Sequence, residues 1–188
     1  MEPLLITVTP VLILLVLAVV SYNRFVAQRA SIDATWANIE GELQRRHDLV
    51  PNLVGTVQGY AVHERGVFDQ VTDARARAIA AVPRDVPIEQ QARAEDALTQ
   101  GLTSLLAVTE SYPELRSDVL FRDLQRQLVE TEDRIAAARR LYNLEVAAYE
   151  RRRRAVPSNL VASTAGFPPQ RMFEIRDAAA EHAPHVAP

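Results

Sequence analysis

The sequence predicts an all-α protein: a single N-terminal transmembrane helix followed by an antiparallel, up-and-down four-helix bundle with a long last helix. Three observations predict it. Residues 3–23 carry no charge and residues 4–20 are almost wholly aliphatic, about the length that crosses a hydrocarbon core of roughly 30 Å as a helix. Beyond that run, apolar residues recur every three to four positions, the period of a helix with one buried face. β-branched residues do not cluster and Asn-Gly or Asp-Gly pairs are absent, so no strand or hairpin is predicted. The organisation that follows is an anchor at 1–23, the bundle at 24–156 and a Pro/Ala-rich tail at 157–188, expected to be partly disordered.

The apolar run reads as an uncleaved anchor. A secretory signal needs a positive n-region and a small-residue cleavage site. Here Met1, Glu2 and Pro3 precede the run, and Tyr22, Asn23, Arg24 and Phe25 follow it. Arg24 and Arg29 lie on the C-terminal side against Glu2 on the other. The positive-inside rule then places the N-terminus outside and the body in the cytoplasm, as a single-pass protein of the plasma membrane.

The first bundle helix carries its stripe on Phe25, Ile32, Trp36, Ile39 and Leu43. A break is expected between His47 and Pro51, since proline lacks the interior N–H and disfavours helix at the residue before it. Asp48 is the candidate N-cap of the next helix. That second helix shows Leu53, Val57, Tyr60, Val67, Val71, Ala74 and Ala78, and Pro83 and Pro87 bracket the loop after it. The third helix runs through Ile88, Ala92, Leu98, Leu102 and Leu105 to a turn at Pro113, with Ser111 or Ser117 as candidate caps. The fourth carries Phe121, Leu124, Leu128, Ile135, Ala138, Tyr142, Val146 and Tyr149, and ends at Pro157. Up-and-down topology brings the end of this helix back to the membrane. Arg151, Arg152, Arg153 and Arg154 stand there, and Arg84 in the loop between the second and third helices falls on the same side as Arg24 and Arg29. These residues are candidate contacts for anionic lipid, each contributing about 1 kcal/mol near an acidic leaflet. The alternative is a solvated helix end that complements the helix dipole.

Composition narrows the function. The net charge of −3 over 188 residues leaves no general nucleic-acid footprint. The absence of Cys excludes disulfides, thiol nucleophiles and Cys-based metal sites. All 21 basic residues are Arg. His63-Glu64 begins like a zinc-protease motif, but Val67 stands where the second His would be. His182 and His185 near the end are a weak metal hint. No catalytic residue, cofactor site, metal site or small-molecule substrate is assigned. Glu64 falls on the inner stripe between Tyr60 and Val67. Glu132 and Arg139 sit one heptad apart beside the stripe of the last helix, and Arg75 and Glu110 lie near their own stripes. Together with Asn143 these are read as internal polar contacts that set helix register, with a polar pocket or carboxylate cation site as the alternative. Arg45, Arg46, His47 and Asp48, at the expected far turn, are a candidate partner-docking tip, or else cap and turn chemistry. Phe167, Met172, Phe173 and Ile175 form an apolar patch in the tail, expected to fold back onto the bundle.

The run Arg45-Arg46-His47-Asp48-Leu49-Val50-Pro51-Asn52-Leu53-Val54, followed by Gly59-Tyr60-Ala61 and His63-Glu64, resembles the LemA family. Further matches stand along the chain in the expected order: Tyr22-Asn23 after the anchor, Trp36, Arg75, Glu110 with Tyr112-Pro113-Glu114-Leu115, Phe121, Leu124-Gln125, Glu132, Ala138-Arg139, Tyr142-Asn143, Pro157-Ser158-Asn159, Gly166-Phe167 and Phe173-Glu174. Tyr149-Glu150 departs from a second Tyr-Asn pair common in the family, and the tetra-arginine after it is particular to this chain. The resemblance implies a bacterial, membrane-anchored helical bundle with no established enzymatic activity. One related member is associated with building magnetosome membranes, which implies an envelope or membrane-organising role. The functional expectation is a non-catalytic scaffold or adaptor that forms homo-oligomers or recruits a membrane-associated protein. The alternatives are membrane shaping through anionic lipid and, last, a metal-dependent enzyme.

Overall fold

A helix-interior proline removes one hydrogen bond and presses its ring on the carbonyl four residues back. Pro51 nevertheless lies inside a helix here. The computed structural model describes residues 2–82 and 86–174, with side chains from residue 12 onward. Among these it contains six helices and no strand: α1 (Glu2–Gln58), α2 (Arg65–Ala80), α3 (Ile88–Thr109), α4 (Pro113–Ser117), α5 (Val119–Arg154) and α6 (Ser158–Thr164). The break expected between His47 and Pro51 does not occur. Pro51 withdraws the N–H that the His47 carbonyl would accept, and Arg75 on α2 replaces it, its Nε donating to that oxygen at 2.6 Å. α1 therefore absorbs the first expected bundle helix and the start of the second. The chain turns at residues 59–64 instead, where the Ala61 N–H donates to the Val57 carbonyl at 2.9 Å. Asp48 is thus not a cap. It lies mid-helix and accepts from Gln44 at 2.8 Å.

The cap of α5 is Asp118 rather than Ser111 or Ser117. The Phe121 N–H donates to Asp118 Oδ1 at 3.0 Å, while the Ser117 hydroxyl donates back to the Pro113 carbonyl at 3.1 Å. Tyr60 donates to the other carboxylate oxygen of Asp118 at 3.0 Å. The bond from Phe121, then that from Tyr60, holds the Asp118 carboxyl below its usual range.

The chain divides into two compact units. The first comprises Met1–Asn38 and Ala138–Met172. Its core is aromatic: Phe25 stacks on Phe167 at 4.8 Å between centroids and meets Tyr149 edge-on at 5.7 Å, and Trp36 meets Tyr142 at 5.3 Å. α6 delivers Phe167 to this cluster. Gly166 takes φ +74°, a conformation open to glycine at little cost, and the Phe167 N–H closes back on the Ala162 carbonyl at 3.0 Å, the Schellman ending of a helix. Two tyrosines then strap the following segment to α5. Tyr142 donates to the Arg171 carbonyl at 2.9 Å and Tyr149 to the Pro168 carbonyl at 2.7 Å. Burial, with Asp33 nearby, pushes the Tyr142 hydroxyl up to about 12, so it remains a donor.

The second unit comprises Ile39–Ala137 and, among the described residues after it, Phe173 and Glu174. Its core gathers Val50, Leu53 and Val57 of α1, Phe68 and Val71 of α2, Leu98, Leu102 and Leu105 of α3, and Phe121 and Leu124 of α5. α2 and α3 approach closely because Gly101 has no side chain: a Cβ there would lie 3.4 Å from the Val71 Cα. Of the tail patch, Phe167 and Phe173 are buried and Met172 is exposed. Ile175, His182, His185 and the rest of residues 175–188 lie outside the described residues, as do Pro83 and Arg84.

Candidate functional site

Two groups of charged side chains stand out, one in each unit. In the second unit, the α1 stripe Ile39, Leu43, Arg46, His47, Val50, Leu53 continues through Pro51 with two polar members. Arg46 is 1% exposed and His47 is fully buried. They do not form an exposed tip, because the helix goes on and both point inward. Arg45 and Asp48, their neighbours, remain on the outer face. Arg46 meets the carboxylate of Glu95 on α3 through Nη2, and Glu132 on α5 through Nη1 at 3.0 Å. Nη1 also donates to the Thr99 hydroxyl at 3.1 Å. His47 Nε2 lies 3.0 Å from the second oxygen of Glu95. A carboxylate only accepts, so that nitrogen carries the proton. Burial alone would push the Glu95 carboxyl up. The His47 hydrogen bond and the Arg46 charge outweigh it and hold it below its ordinary value of 4.5.

The charged groups of this cluster pair with one another across α1, α3 and α5. Both oxygens of Glu95 and both Nη atoms of Arg46 are occupied, whereas Arg46 Nε and His47 Nδ1 are buried without a hydrogen-bond partner among the described residues, and Glu95 lines a small cavity with Glu40 and Gln91. Among the described residues, no group of three or more His, Asp or Glu is placed to hold a metal ion.

The predicted internal contacts divide. Arg75 and Glu132 join this cluster. Glu64 is partly buried at the start of α2, Glu110 is exposed at the end of α3, and Arg139 and Asn143 are partly buried on α5. Glu95, the centre of the cluster, was not singled out by the sequence. Its signal was its place on the α3 stripe, between Ala92 and Leu98. In the sequence Glu150 is visible only as a departure from the family pattern. It accepts from the Gln170 N–H at 2.9 Å and from Arg153 Nε at 3.0 Å, and so ties the segment after α6 to α5.

The other group lies in the first unit. Arg24 and Gln28 of α1, Arg151 and Arg152 of α5, and Ser158 of α6 line an open cleft of about 440 Å³. A second cleft of about 400 Å³ contains Arg151, Arg153 and Arg154 together with Glu150. Arg29 is exposed and lines neither. Above the first cleft, α1 is the one helix among the described residues long and apolar enough to cross a membrane. Its residues Leu12 to Leu17 are 48–63% exposed.

The sequence profile of the LemA family matches residues 35–187. Magnetosome protein MamQ 2 and magnetosome protein MamQ 1 of Paramagnetospirillum magneticum are each 27% identical to the chain over 197 residues, covering 93% of it and 72% of the relative. Magnetosome protein MamQ of Magnetospirillum gryphiswaldense is 28% identical over 168 residues, covering 78% of the chain and 62% of the relative. With the profile running over most of its length, from Thr35 in α1 to beyond α6, the chain belongs to the LemA family.

Proposed function

We propose that the protein is a single-pass membrane-anchored helical scaffold, non-catalytic, which acts by self-association or by recruiting a protein partner at the membrane. One observation carries this reading. The apolar face of α1 over residues 12–20 is exposed, while Phe25, Ile32 and Trp36 further along the same helix are buried. Exposed apolar surface of that extent demands a covering phase, and a bilayer supplies one without any further element. The mutual pairing of Arg46, His47, Glu95 and Glu132 across three helices supports a structural role over a reactive one. The relatives are named for a cell structure rather than a reaction, which agrees. Arg24 and Arg29 directly after the span favour a cytoplasmic body.

The test is alkaline carbonate extraction of cells expressing the full chain, followed by crosslinking mass spectrometry. Because Lys is absent, the reagent must target carboxylates or be photoactivatable. Retention in the membrane, with crosslinks between copies or recurrently to one protein, is expected. Release by carbonate overturns the anchor, and crosslinks to neither overturn the scaffold.

A further inference from the structure

We propose that the cleft formed by Arg24, Gln28, Arg151, Arg152 and Ser158 binds a phosphate group, carried by an acidic lipid headgroup or free in solution. The inference rests on the anchored reading for its depth in the bilayer and deepens it by naming a ligand.

Three guanidinium groups line the cleft, and no acidic side chain does. The neighbouring cleft makes the contrast. There the single carboxylate of Glu150 is shared by Arg153 at 3.0 Å and the exposed Arg154 at 3.7 Å, so two of the four consecutive arginines have an acidic partner within the chain and one of their two charges is offset. Arg151 and Arg152 are left to face Arg24. Like charges gathered this way repel one another unless an anion joins them. Arg152 Nε is buried without a hydrogen-bond partner among the described residues, and so is the side-chain oxygen of Gln28. An orphaned buried donor is costly, and the Gln28 amide can turn to present its N–H₂ instead. Planar guanidinium forks match the oxygens of a phosphate better than any other basic side chain.

Position selects the source. Arg24 follows the last residue of the apolar run, Val20, by four residues, a rise of about 6 Å along the helix. That is about the depth of the headgroup layer beyond the hydrocarbon core. Contact of Phe25 with Tyr149 fixes the arginine end of α5 beside Arg24.

The test uses the full chain in neutral detergent micelles. Native mass spectrometry follows titration with phosphatidylglycerol, with phosphatidylcholine, and with inorganic phosphate. Phosphatidylglycerol should bind in preference to phosphatidylcholine, whose choline the arginines repel. Arg24→Gln/Arg151→Gln/Arg152→Gln should weaken it by about tenfold or more, with Arg126→Gln as an unaffected control. Competition by inorganic phosphate identifies the free anion as a ligand; phosphatidylglycerol binding without such competition identifies the lipid. Equal binding of both lipids with no phosphate bound, or a triple variant that binds like the parent, overturns the site. If the triple variant does not reproduce the parent's helical circular dichroism, the single Arg151→Gln and Arg152→Gln variants carry the test. A variant that loses the ligand yet resists carbonate extraction leaves the anchored scaffold standing, whereas release of the parent chain by carbonate sinks that reading and not the phosphate site.

Discussion

Glu95 holds two α1 side chains at once, so its removal leaves Arg46 Nη2 and His47 Nε2 buried without a partner while Arg46 Nη1 stays on Glu132. Breaking one partner of such a group costs about 3–5 kcal/mol. Glu95→Ala should lower stability by that amount in thermal or denaturant unfolding of the detergent-solubilised chain. Replacing the group together, Arg46→Met with His47→Leu and Glu95→Leu, should recover most of the loss, because the desolvation of the charges disappears with them. The pH dependence has a definite sign. The folded Glu95 carboxyl lies below its ordinary value of 4.5. Its contribution is therefore complete above that pH and is lost as pH falls through the folded value. The melting-temperature gap between the parent and Glu95→Gln should narrow on acidification below about 4.5, and a gap independent of pH would contradict the assignment. In the other unit Trp36, 8% exposed against Tyr142, should cost about 3–5 kcal/mol when cut to Ala, read by the same melts.

At the level of elements, the continuity of α1 depends on a residue of α2. Arg75→Leu leaves the His47 carbonyl buried without a donor and should cost about 1–3 kcal/mol. Pro51→Ala restores the backbone N–H, so in that background the same substitution should cost almost nothing. A double-mutant cycle should show coupling of about 1 kcal/mol or more; additive losses would mean that Arg75 acts elsewhere. This pair also marks where the sequence stops being legible. Apolar periodicity located helical segments near α2, α3 and α5 because period is a local property. The behaviour of Pro51 is not local, since its rescue comes from a side chain 24 positions away. Glu95 escaped notice for a related reason. Its place on the α3 stripe is a local feature, but the side chains that pair with it lie on α1, 48 and 49 positions away, and no local period links the two. The basic cleft is more legible: the reversal of chain direction is enough to bring Arg24 toward Arg151 and Arg152, but not to show that Glu150 pairs with the two arginines after them.

For the molecule as a whole, the decisive surface is the apolar start of α1. Leu15→Arg places a charge in the middle of the span, where central arginine costs about 2.5–3.5 kcal/mol for insertion. The substituted chain should shift into the carbonate-soluble fraction, measured by quantitative immunoblotting. Full retention would mean a second attachment. The family profile begins at Thr35, so it does not include the span. The case for the membrane therefore rests on this chain's own residues.

An anchor joined to its body by a flexible tether would report only distance. Here residues 12–20 and Phe25 belong to one unbroken helix, so the azimuth of the anchor in the bilayer and that of the aromatic core are locked in phase. Each inserted residue turns one against the other by about 100°. If the chain self-associates as proposed, one or two alanines after Asn23 should impair that association more than a seven-residue insertion, which returns to within about 20° of the starting angle. Crosslinking yield plotted against insertion length should oscillate with the helical period. A smooth decline with length would mean that the span is merely a tether, and its orientation irrelevant to the assembly.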